Sequence, residues 1–153
     1  MPTAGMRMLS LRFADEGRAH RPFLPRHRVR RWLGAAIGDR DFEIAVRVVG
    51  EREGFALNAE HRAGDHATNV LTFAYEQAPA VVADLVLCAP VVEREATAAG
   101  LPLEAHYAHL VVHGALHAQG FDHDADADAA RMEARESELL IRLGYPDPWA
   151  DAP

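Results

Sequence analysis

The sequence predicts an α+β fold: a single small domain with a mixed sheet of about four strands packed with about five helices. Three observations carry it. Phe42–Val49 alternates Phe42, Ile44, Val46 and Val48 on one face, as a half-buried strand does. Arg26–Ile37 and Asp126–Leu143 place their apolar residues at helical spacing. The chain has 153 residues and 49% hydrophobic content, which suits one compact domain with a real core.

Taken in order, Leu9–Phe13 alternates and reads as a first strand. Arg26–Ile37 follows as a helix, with Val29, Trp32, Leu33 and Ala36 on one stripe and Gly38 as its stop. After the Phe42–Val49 strand, Glu51–Glu60 reads as a short helix. Asn69–Tyr75 is rich in Val, Thr, Phe and Tyr and reads as a strand. Val81–Cys88 is nearly continuous in apolar content, which predicts a central strand. Val91–Ala99 is expected as a helix after Pro90, and Leu103–Gln119 as a long helix with Tyr107, Leu110 and Val111 toward the core. Asp126–Leu143 closes the domain, with Met132, Leu139, Leu140 and Leu143 on one stripe and Gly144 after it. The domain is expected to span residues 1–153, with about five N-terminal and about eight C-terminal residues loose.

Composition narrows the setting. Cys88 is the only cysteine, so it has no disulfide partner and reads as a packed apolar residue in a cytosolic protein. No apolar run follows the first basic residues, and no segment reaches the length of a membrane span, so no membrane association is expected. All basic residues are arginine, and the net charge is −7. A charge of that sign argues against nucleic acid as a partner for the whole surface. The distribution is uneven: Arg7–Arg31 holds eight arginines and only two acids. Such a patch is compatible with phosphate, but on charge alone a solvated helix face is the better reading.

The chemistry concentrates in His113-Gly-Ala-Leu-His117-Ala-Gln-Gly120-Phe-Asp-His123. On a helix, His113 and His117 lie one turn apart on the same face, separated by roughly 6 Å of rise. Gly120 tolerates left-handed backbone, so it ends the helix and brings His123 back as a third ligand. Three neutral imidazoles leave the fourth tetrahedral position to water, the layout of a catalytic zinc. The metzincin string H-E-x-x-H-x-x-G-x-x-H fits at every fixed position except one, where Gly114 replaces the glutamate. That glutamate is the general base of the peptidases, and glycine moves no proton. Either the base comes from elsewhere or the chemistry is not peptide hydrolysis. His109 stands about 12 Å along the axis from His117, too far to share an ion easily. It lines or supports the site or is simply packed, with packing the preferred reading. Asp122, Asp124 and Asp126 half resemble a calcium loop, but Ala127 takes the place of its obligatory glycine. Asp126 and Asp128 read better as first-turn acids of a helix.

The histidine string is similar to the signature of the YbeY-type bacterial endoribonucleases, the rRNA maturation factors. A second block agrees: Leu57-Asn58-Ala-Glu-His-Arg62, Asp65, then Thr68-Asn69-Val70-Leu71-Thr72-Phe73. These match the family's L-N-x-x-[FY]-R and P-T-[DN]-V-L-S-F. Ala83-Asp84-Leu85 stands where the family reads G-D-I. His61, Ala67, Thr72, Ala83 and Ala118 depart from the usual residues, and none of them is a metal ligand or Arg62.

The resemblance implies a zinc-dependent, single-strand-selective endoribonuclease acting in small-subunit rRNA maturation and ribosome quality control. Its partners would be single-stranded RNA, ribosomal RNA and the small subunit, with no DNA. One Zn2+ per chain would sit on His113, His117 and His123, with His117 also part of the catalytic centre. Arg62 becomes the candidate that steadies charge on the phosphoryl oxygens, since guanidinium bonds phosphate in bidentate fashion and keeps its proton. Attack by a zinc-activated water and attack by the ribose 2′-OH both fit the sequence. Asp84 and Asp122 are candidates to orient a ligand imidazole or to replace the missing base, as readily as to cap a helix or turn. A zinc peptidase and a ribosome-binding module stapled by zinc stand as the alternatives.

Overall fold

The computed structural model describes residues 6–62, 69–121 and 125–150, though not the side chains of Asp15, Glu60, His61 and Arg62. Within these residues four strands form one sheet: β1 (Arg7–Phe13), β2 (Phe42–Val49), β3 (Val70–Glu76) and β4 (Val81–Cys88). Their order is β1-β2-β4-β3. β1, β2 and β4 run parallel, and β3 pairs antiparallel with β4 at the edge. The apolar run of β4 fits its central place, since such strands are covered on both faces.

Among the described residues, five α-helices accompany the sheet: α1 (Arg26–Ile37), α2 (Glu51–Arg62), α3 (Ala89–Ala99), α4 (Leu103–Ala118) and α5 (Asp126–Leu143). α3 begins before Pro90, which sits in its first turn. Proline is tolerated there because its missing N–H would be unsatisfied anyway. The sequence reading missed a 3-10 segment over Asp15–Phe23. That stretch is charged, holds Pro22 and has no apolar period to betray it.

The pleat sorts the sheet into two faces. Ile44, Val46, Val48, Leu85 and Leu87 point into the main core, under α1 and α4. Val49, Leu71 and Val86 point the other way and meet Leu57 of α2. α4 lies at the centre of the helical layer, touching α1, α3, α5, β3 and β4. It is buried almost all round, as an apolar central helix must be.

The arginines of the N-terminal patch are largely committed to holding the fold. Arg7 bonds Gly38 O and lies over the Phe42 ring, Arg26 bonds Leu9 O, and Arg31 reaches Leu143 O at 2.7 Å. Arg28 pairs with Glu104 at 3.1 Å. The expected loose C-terminus is also partly tied. Asp147 accepts from Ser137 Oγ at 2.6 Å, and Trp149 reaches back to α5. No helix among the described residues is long and apolar enough to cross a membrane.

Candidate metal centre

α4 carries four histidines, His106, His109, His113 and His117, toward one side of the helical layer. Its outer turns begin after Pro102 and end at Gly120, whose φ of 101° is the left-handed turn expected there. Phe121 N–H bonds back to Leu116 O at 3.2 Å, closing the helix end. His113 and His117 are both half-buried and one turn apart, as their spacing requires. The third expected ligand, His123, and its neighbour Asp122 lie outside the described residues. Among the described residues no group of three His, Cys, Asp or Glu side chains is placed to hold an ion. The donor chemistry on α4 suits zinc: His113 and His117 present imidazoles from a largely buried helix, with no thiolate or carboxylate next to either in sequence.

A further residue that no motif singles out joins these histidines. Glu136 of α5 is fully buried and faces α4. Its Oε1 accepts from His109 Nε2 at 2.8 Å and from Trp149 Nε1 at 2.8 Å. Its Oε2 accepts from His113 Nδ1 at 2.6 Å. Burial alone would push this carboxyl up, but the hydrogen bonds from His109 and His113, with their charge, outweigh it and lower it to about 2. His109 is therefore joined to a ligand candidate through a shared carboxylate, which the preferred packed reading did not foresee. The available signal was spacing: Glu136 stands four residues after Met132 and three before Leu139, on the apolar stripe itself.

Gly114 explains its own place in the motif. A Cβ there would stand 2.9 Å from Leu85 Cδ2 and 3.3 Å from Thr72 Oγ1. The position points into the contact between α4 and the sheet, so it has no room for an acid. Any side chain there, a peptidase glutamate included, would have to displace Leu85.

Asp84 is not brought to the histidines. In β4, Leu85 faces α4, so Asp84 faces the opposite side by alternation. There it accepts from Tyr75 OH at 2.9 Å and lines a groove with Ser10, Arg12, Arg47 and Phe73. The expectation that Asp84 orients a ligand imidazole or supplies the base therefore loses its geometric support. Arg62 is the last residue of α2, the helix on that same second face.

Known proteins agree with this architecture. Residues 24–144 match the family described as Endoribonuclease YbeY. A protein of that name from Methylibium petroleiphilum is 61% identical over 149 residues, covering 97% of this chain and 98% of the relative. Another from Albidiferax ferrireducens is 57% identical over 143 residues, covering 92% and 96%. A Thermotoga maritima protein solved in solution shares the fold, with a TM-score of 0.58 at 22% identity, covering 94% of this chain and all of that one. By class, then, the chain is a nuclease. More narrowly, it belongs to the endoribonuclease YbeY family.

Proposed function

We propose that the chain is a zinc-dependent endoribonuclease that cuts single-stranded RNA in the maturation and quality control of small-subunit rRNA. It works as one domain in the cytoplasm, with ribosomal RNA and the small subunit as partners. The observation that carries the reading is the half-buried His113 and His117 pair on α4, with Gly114 packed against Leu85 where a zinc peptidase needs its glutamate. His113, His117 and His123 would hold the ion. When bound, zinc supplies a Lewis acid and lowers the pKa of a nearby water.

The chain's own residues do the rest. Cutting a phosphodiester builds negative charge on the phosphoryl oxygens. Arg62 would steady that charge through paired N–H donors. Base recognition would be loose, because single strands are held through phosphates and stacking.

Arg62 provides the test. Arg62→Ala should keep its fold and its zinc while cleavage of single-stranded RNA falls roughly a hundredfold, as when one oxyanion donor is removed. Arg62→Lys should recover only part, since a point charge cannot make the bidentate contact. Full activity in a folded, zinc-loaded Arg62→Ala protein would rule out that role.

A further inference from the structure

Resting on the zinc reading above, we infer that Glu136 is a positioning residue of the metal centre: it holds His113 in the tautomer protonated at Nδ1 and so reserves Nε2 as the nitrogen with the lone pair. An ionised carboxylate has no proton to give, so every ring nitrogen facing it must donate. His113 meets Glu136 through Nδ1 at 2.6 Å, which fixes where its proton sits. A ligand histidine needs this, because only an unprotonated nitrogen binds a metal.

The other two donors show that the arrangement is built for orientation. His109 and Trp149 both converge on Oε1, leaving Oε2 to His113. Their rings also pack edge to face, with centroids 5.7 Å apart. Indole N–H is a donor only, so the carboxyl oxygen beside Trp149 must be an acceptor. That locks the group's orientation. A leucine would continue the Met132, Leu139, Leu140 and Leu143 stripe with no desolvation cost, yet a fully buried carboxylate stands there.

The lock makes a sharp prediction for Glu136→Gln, which keeps shape and loses one acceptor. Trp149 holds the amide carbonyl on its own side, so the amide NH2 faces His113. His113 Nδ1 must then accept, its proton moves to Nε2, and the lone pair turns away from the ligand position. Removing the indole donor as well, in Glu136→Gln with Trp149→Phe, frees the amide to turn over. Its carbonyl then serves His113 again, and His109 takes the other tautomer.

Two readouts decide it. Long-range proton–nitrogen correlation spectra of metal-free protein at about pH 8, where imidazole is ordinarily neutral, report the His113 tautomer. Competition against a chelator reports zinc affinity. Expected are Nδ1–H in the wild type, Nε2–H in Glu136→Gln, and a roughly 10- to 100-fold loss of zinc affinity in that variant. The double variant should regain most of the affinity, and Trp149→Phe alone should stay at the wild-type value. Nε2–H in the metal-free wild type overturns the inference without any variant being needed. So does a Glu136→Gln protein that melts earlier but keeps the wild-type tautomer and affinity, which is how a purely structural carboxylate behaves. A wild type that takes up no zinc overturns instead the zinc reading on which the inference stands.

Discussion

His113 and His117 were legible because four residues make one helical turn, so their spacing states their shared face. Glu136 was not, because an acid inside an apolar stripe is ordinarily assumed to face water. Its burial is tolerable only because three N–H donors meet it, and those come from α4 and from the chain's end, far away in sequence. Asp84 shows the converse: the motif placed it near the chemistry, and the two-residue period of β4 sends it to the other face. At this scale the direct prediction concerns His117. His117→Ala should fold and lose bound zinc to well below one ion per chain, measured by elemental analysis. Undiminished zinc in that variant would remove His117 from the ligand set.

Among the elements, most of the strands and helices were legible, since β2, α1 and α5 each announce themselves by a clean period and β4 by its apolar run. The 3-10 segment over Asp15–Phe23 and the tied tail at Asp147 and Trp149 were not, for both depend on distant partners instead of local pattern. The α4 contact with the sheet yields a prediction about Gly114. Alanine there gains about 1 kcal/mol of helix propensity. It also forces the fully buried Leu85 to move, and overpacking of that kind costs about 1–3 kcal/mol. The net should be a modest loss of stability, read as a lower urea midpoint. Gly114→Glu drives a charge into the same contact, so it should unfold the protein instead of restoring a peptidase base. A stable Gly114→Glu protein with peptidase activity would refute the packing account of the missing glutamate.

Across the whole molecule, the buried Glu136 links folding to pH. Its carboxyl lies near 2 in the fold against an ordinary value of 4.5. The unfolded chain therefore binds more protons in that window, and stability rises with pH across it. The contribution is complete above the ordinary value and lost as pH falls toward 2. Urea unfolding of metal-free protein should show midpoints dropping steeply with acid in this window, and Glu136→Gln should flatten the drop. An unchanged slope in the variant would mean the carboxyl is not held down. The central claim reaches further, to an RNA-cutting zinc site in a fold with zincin-like spacing. It is tested most directly by presenting the purified, zinc-loaded protein with single-stranded RNA, duplex RNA and casein, with and without a chelator. The account predicts cleavage of the single-stranded RNA alone, abolished by the chelator and restored by zinc. Chelator-sensitive digestion of casein with the RNA left intact would contradict it.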